Sequence, residues 1–322
     1  MSKRSVVACL ALLACVVASP AALADYPDKP IRVVVPYAPG GASDILARVL
    51  GQKLSETLHQ PVVIENRPGA GGTIGADLVA KSAPDGYTLL LSDVAVYTIA
   101  PALYPKLPYT STDLAPVINL ATFAHILITP ANTPLGSFKD MLIQEKAKPG
   151  RFNMASSGNG TSTHLTLEML NSVAGTKLTH VPYKGGGAAI ADVIGGQVDM
   201  MFIGTPPAMP LLQSGKLKAL AVTTSKRMTA LPSVPTVAES GLPGFESIAA
   251  QGMFAPAATP RDIIVRLNTE ITRIIRLPDV NARWAQLGAE PIDNTAPQFA
   301  TWLTSESIKW GKVIRDSGAK PD

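Results

Sequence analysis

Two turns rich in glycine and hydroxyl side chains stand more than a hundred residues apart, each between an apolar strand and an amphipathic helix. The first comprises Tyr37, Ala38, Pro39, Gly40, Gly41, Ala42, Ser43 and Asp44; it follows Ile31–Val35 and opens a helix at about Ile45. The second comprises Ser156, Ser157, Gly158, Asn159, Gly160, Thr161, Ser162 and Thr163; it follows Phe152–Ala155 and opens a helix at about His164. The first turn of a helix leaves backbone N–H groups unpaired and carries about half a positive charge, so each turn is suited to an anion. Such turns are common in α/β proteins. These two stand out because they occupy matching positions in separate halves of the chain, where they can face each other across a cleft.

Other chemistries fit less well. No phosphate loop of the GxxxxGK[ST] type and no HExxH pair occurs, and the four histidines are scattered. Gly69–Gly75 resembles a dinucleotide fingerprint, but Ile74 stands where the third glycine belongs. It reads as a tight turn, expected to lie away from the first Gly/Ser turn. Ser157 precedes His164 by seven residues, yet no GxSxG elbow presents a strained serine. His164, at a helix start, reads as a structural hydrogen-bond donor. Both cysteines, Cys9 and Cys15, lie near the start of the chain, which leaves no thiol chemistry beyond them. No cofactor and no metal is expected.

Alternating strands and helices must position the two turns. Val62–Glu65 and Thr88–Leu91 read as strands, Thr73–Lys81 as a helix, and Ile45, Leu46, Val49, Leu50, Leu54 and Leu58 as one apolar stripe. Ser92, just past a strand end, falls beside the first turn if the strands starting at Ile31 and Thr88 are neighbours. Beyond about residue 124 the pattern restarts. Strands fit 126–128, 151–155, 178–181, 198–203 and 219–223, and helices fit 138–146, 163–173, 188–194 and 209–214. Three further helices fit 261–276, 280–287 and 296–316, with Trp302 and Trp310 as packing residues. The reading is an α/β protein of two lobes: residues 25–124 with 249–322, and residues 125–248. Two crossings then form a hinge and close a cleft, and ligands in open α/β sheets bind beyond the carboxyl ends of the strands.

The first residues read as an export signal. Lys3 and Arg4 precede the apolar run Val6–Ala18, and Ala22-Leu23-Ala24 offers a cleavage site before Asp25. Leu12–Cys15 resembles a lipoprotein box, with Leu13 unusual there. A periplasmic destination follows. The chain of 322 residues is 46% hydrophobic and 16% charged, with a net charge of +4, which suits a globular protein and excludes a nucleic-acid partner.

Further segments carry a family resemblance. Pro36–Asp44, Glu65–Gly72, Ala83–Leu89, Val181–Gly185, Gly215–Val222 and Leu231–Thr236 occur in an order that resembles the Bug (TctC-like) receptors of tripartite tricarboxylate transporters. The resemblance spans the sequence beyond the leader. It implies a type II periplasmic binding protein, monomeric, closing on a small carboxylate for delivery to membrane permease subunits. It also implies that backbone N–H groups of the loops Tyr37–Asp44 and Ser156–Thr163, with ordered water, hold the carboxylate, and that Ser92 lines the pocket. Amino-acid-specific members tend to carry an acidic residue in the loop that here reads Ile203-Gly204-Thr205-Pro206-Pro207. With Thr205 in that uncharged loop, a ligand ammonium lacks a partner, so the expected ligand is a carboxylate without an amino group, aromatic or dicarboxylic. Two other readings stay open: a sensor for a membrane signalling partner, and a secreted hydrolase using Ser157 or Ser43.

Overall fold

A computed structural model describes residues 26–321. The leader, its cleavage site and the Cys15 alternative lie outside the described residues.

Strand β1 (Ile31–Val35) is apolar because helices cover both of its faces; it pairs in parallel with β2 (Val62–Asn66) and with β3 (Thr88–Asp93). Helix α1 (Ala42–Leu58) returns over this sheet, and Leu46, Leu50, Leu54 and Leu58 of its stripe are buried. Helix α2 (Thr73–Ala80) follows β2, and short helices α3 (Ala95–Thr98) and α4 (Ala100–Leu103) follow β3.

The second half repeats the design. Strands β5 (Asn153–Ser156), β6 (Thr179–Pro182) and β7 (Met200–Gly204) are parallel, with β5 between the others. Helices α5 (Phe138–Ala147), α6 (Ser162–Ala174), α7 (Gly186–Ile194) and α8 (Thr205–Gln213) accompany them, and β8 (Leu217–Val222) closes the unit.

Strand β4 (Leu114–Pro130) joins the halves and is far longer than the three residues expected at 126–128. Its residues 114–124 pair with β9 (Ile248–Pro256), residues 125–128 pair with β7, and residues 126–130 pair with β8. The chain returns at the same level, where the Ser247 N–H donates to Thr223 O and Ile248 pairs with Ala124. Strand β9 has no counterpart in the sequence reading. These two crossings define the two-lobed α/β fold, with a cleft between the lobes.

Helices α9 (Arg261–Ile275) and α10 (Pro278–Gln286) place Leu267, Ile271 and Trp284 in the core beneath α1 and β1. Short strand β10 (Ala289–Pro291) pairs with β4. Helix α11 (Ala296–Ser317) then sets Phe299 and Leu303 against Phe254 of β9. Its later turns reach further: Trp310 and Ile314 pack with Ile99 and Leu103 and also with Leu165 of α6.

Candidate functional site

The two turns do face each other. Between them lies a cavity of about 40 Å³, lined on one side by Tyr37, Gly41, Ala42 and Ser43 and on the other by Ser157, Thr161, Ser162 and Thr163. A buried water needs about 10–15 Å³, so this volume holds about three waters and suits a small molecule, not a polymer. Cross-lobe bonds hold the walls close: the Ala38 N–H donates to Lys184 O (3.0 Å), and the Tyr104 hydroxyl donates to Asn159 O (2.9 Å).

The turns differ in the donors they leave free. In the first, Gly41 caps α1 in an extended conformation with no side-chain cap, and the N–H groups of Gly41, Ala42 and Ser43 make no hydrogen bond among the described residues. The neighbouring Gly40 N–H is occupied by the Asp44 carboxylate at 3.0 Å. Burial opposes ionisation of Asp44, but hydrogen bonds from Arg48, Gly40 and Asn66 outweigh it and hold its carboxyl below the usual range. In the second turn the donors are spent internally. The Ser157 N–H donates to Thr163 Oγ1, that of Gly158 to Ser156 Oγ, and that of Gly160 to His164 Nδ1, at 2.9, 3.1 and 3.1 Å. The two turns are therefore not equivalent. The first leaves three successive N–H groups unpaired, whereas the second spends the N–H groups of Ser157, Gly158, Gly160 and His164 on its own side chains.

A buried polar chain forms the floor. Asp93, at the end of β3 and 8% exposed, accepts from the Ala95 N–H (2.9 Å) and from the Ser162 hydroxyl. Burial raises the Asp93 pKa, and these donors oppose the rise. Ser162 Oγ also lies 3.2 Å from His125 Nε2, while His125 Nδ1 lies 3.3 Å from both Ser247 Oγ and Thr166 Oγ1. Complete burial pushes the His125 pKa down to about 3, so the ring is neutral. Because the Ser162 proton points to Asp93, the His125 proton is assigned to Nε2.

Phe123, Ile203 and Ala249 supply an apolar wall. A Cβ on Gly204 would stand 2.3 Å from the Phe123 ring, so the end of β7 must be glycine for that ring to fit. Gln251 closes the wall by accepting from the Ser43 hydroxyl at 2.6 Å.

Not every expected residue reaches this cavity. Gly158 and Asn159 line a neighbouring chamber of about 250 Å³ that shares Tyr37 and Ser157 with the first. The Gly69–Gly72 turn lines it too, against the expectation of distance. Gly71 comes so close that a Cβ there would sit 1.9 Å from Asn159 O. Ala38, Pro39, Gly40 and Asp44 shape the first turn from behind, and Ser156 and Gly160 do so for the second. Ser92 is fully buried and donates to Asp93 O, and Thr205 donates to Gly288 O at 2.7 Å, so neither lines the cavity. The Tyr37 hydroxyl lies near Ser92 and Asp93 without a hydrogen bond of standard geometry, and burial raises its pKa. His164 accepts at Nδ1 from the Gly160 N–H, its Nε2 faces the Glu168 carboxylate at 3.7 Å, and its ring stacks on His180 at 4.2 Å.

Sequence reading missed Asp93, Phe123, His125, Gly186, Ile203, Gly204, Ala249 and Gln251. Asp93 adjoins Ser92 at a strand end that had been noticed, and Gly204 precedes Thr205; those signals were within reach. Phe123, His125, Ala249 and Gln251 belong to the paired crossing strands, which local pattern does not reveal. The hydrolase reading finds no geometry: Ser43 spends its hydroxyl on Gln251, and the His125 imidazole reaches Ser162, not Ser157 or Ser43.

Comparison with known proteins agrees with this architecture. The family model described as "Tripartite tricarboxylate transporter family receptor" matches residues 46–319. Protein BugT of Bordetella pertussis (strain Tohama I) is 39% identical over 306 residues, which cover 94% of each chain. Rpa4515 of R. palustris, solved with adipate, superposes with a TM-score of 0.89 at 32% identity, covering 92% of this chain and 100% of that one. MatC of Rhodopseudomonas palustris, solved with bound malate, gives a TM-score of 0.85 at 35% identity, covering 90% and 100%. Among the described residues no helix is long and apolar enough to cross a membrane. A receptor fold shared along nearly the whole chain, with a small cavity between its lobes, places this protein among solute receptors rather than enzymes: the chain belongs to the tripartite tricarboxylate transporter receptor family.

Proposed function

We propose that the protein is an exported periplasmic receptor that captures a small carboxylate without an amino group and delivers it to the membrane permease of a tripartite transporter. The observation that carries the reading is the open end of α1, where the Gly41, Ala42 and Ser43 N–H groups border the cavity between the two turns. A carboxylate there completes charge-assisted hydrogen bonds worth about 1.5–3 kcal/mol each, and the helix end adds up to about 2 kcal/mol. Micromolar binding needs about 8 kcal/mol, so several such bonds in a dry, closed site suffice without a cationic side chain. In this reading residues 25–124 with 249–322 form one lobe and residues 125–248 the other. The ligand docks on the α1 end first. The hydroxyl-bearing wall of Ser157, Thr161 and Thr163 then closes over it, with ordered water filling the remaining space.

Ligands in relatives support the class, since Rpa4515 was solved with adipate and MatC with malate. Absence of an amino group is supported by the wall itself. Its one acidic side chain among the described residues is Asp93, whose two oxygens each already accept a hydrogen bond, one from the Ala95 N–H and one from the Ser162 hydroxyl.

Calorimetric titration of refolded, ligand-free mature protein with a carboxylate panel tests the reading. A micromolar hit is expected among acids lacking an amino group. Tight binding of aspartate or glutamate overturns the amino-group assignment, and silence across the panel overturns the carboxylate assignment. N-terminal sequencing of the exported protein checks cleavage after Ala24, size-exclusion chromatography checks the monomer, and loss of uptake on permease deletion checks the partner.

A further inference from the structure

The N-terminus of α6 was expected to receive part of the ligand, yet the protein fills it with a carboxylate of its own. Asp93 comes from the end of β3, in the other half of the molecule, and accepts from the hydroxyl of Ser162, the first residue of α6. The Thr161 side chain accepts from the His164 N–H at 3.5 Å. Asp93 also belongs to the cavity wall. The cavity thus meets one helix end whose N–H groups are unpaired, at Gly41–Ser43, and one helix start already faced by the Asp93 carboxyl. No Lys or Arg lines it among the described residues.

From this juxtaposition we infer that Asp93 is the specificity-determining residue that restricts the receptor to ligands with a single carboxylate, their far end neutral or apolar against Phe123 and Ile203. The inference rests on the carboxylate-receptor reading above and narrows it. A second ligand carboxylate in so small a space meets the Asp93 carboxylate with no Lys or Arg in the wall to offset the repulsion, and a buried unpaired charge is strongly disfavoured. A hydroxyl or a hydrocarbon end meets neither obstacle. Adipate-bound Rpa4515 and malate-bound MatC show that the fold itself admits dicarboxylates. The restriction is therefore assigned to this side chain, not to the architecture.

The test uses chain-matched acids at pH 8: hexanoate against adipate, and 2-hydroxybutanoate against malate, by calorimetry on wild-type protein. The expected result is a preference for the monocarboxylate of at least about tenfold in one pair, as like-charge repulsion requires. Asp93→Asn keeps the acceptor for Ser162 without the charge and is expected to shrink that ratio to about threefold or less through tighter dicarboxylate binding. A structural role alone does not produce such a gain. Asp93→Ser provides a second neutral variant should the first fail to fold. Equal or tighter binding of the dicarboxylates by wild-type protein overturns the inference and leaves the receptor reading standing. An unchanged ratio in the folded variants also overturns it. Failure of all four acids against a protein that binds another acid with two or more carboxylates overturns it as well. Failure against every acid overturns the receptor reading itself.

Discussion

Gly41 is the residue whose substitution separates binding from folding. Gly40 and Gly158, the corresponding glycines of the two turns, serve this purpose less well. Both have left-handed φ, +86° and +128°, so a bulky β-branched side chain strains the backbone whether or not ligand is present. Gly41 has φ −83°, and a Cβ on it would meet nothing nearer than Gly186 N at 3.6 Å. Gly41→Ala should therefore melt within a few degrees of wild type while losing at least about tenfold in ligand affinity, because its methyl crowds the vacant helix end. Unchanged affinity in calorimetry would place the ligand elsewhere. His125 makes a second prediction. Its folded pKa of about 3 lies below the unfolded value, so the folded state binds fewer protons between them. Its contribution is complete above about pH 6.5 and is lost as pH falls toward 3, at up to about 1.4 kcal/mol per unit. Urea denaturation at pH 7, 5.5 and 4.5 should show His125→Asn with the shallower decline. Equal slopes would mean that the imidazole is protonated in the fold.

Among the elements, the long helices were legible nearly to their ends; the short α3 and α4, the first turn of α8 (Thr205–Pro207, read as a loop) and the crossing strands were not. The α1 stripe recurs every three to four residues and would specify a helix in any context with one apolar side. Strand β4 has no comparable signature. Residues 117–128 are almost continuously buried, so period-two alternation is absent, and Pro116 sits beside a register shift where the ladder is already interrupted. Its length and that of β9 come from pairing with each other across a separation of more than a hundred residues. Helix α11 shows the same dependence on distant partners. The Trp310 side chain is 2% exposed between α4 and Leu165, and its Nε1–H donates to Glu306 at 3.0 Å. Trp310→Ala should cost about 3–5 kcal/mol in urea denaturation. A cost below about 1 kcal/mol would show that this end of α11 does not tie the two halves together.

For the whole molecule, closure and binding should be one event. The cavity is bounded by both halves, and hydrogen bonds such as Ala38 to Lys184 form only when they meet. Ligand at about 100 times its Kd should add about 2.7 kcal/mol and raise the Tm by several degrees. Small-angle scattering should show a more compact particle at the same concentration. A rise in Tm without compaction would mean that ligand enters a cleft already shut. The amino-acid order by itself determined the repeated strand–turn–helix units, the two α/β halves, the position of both turns and the family, because helix periodicity, turn chemistry and motif order are local properties. Only the tertiary structure decided which of the two helix ends stays open. Local sequence offers the same N–H groups at both, and what distinguishes them is Asp93, brought to Ser162 from another part of the chain by strand pairing and lobe contact.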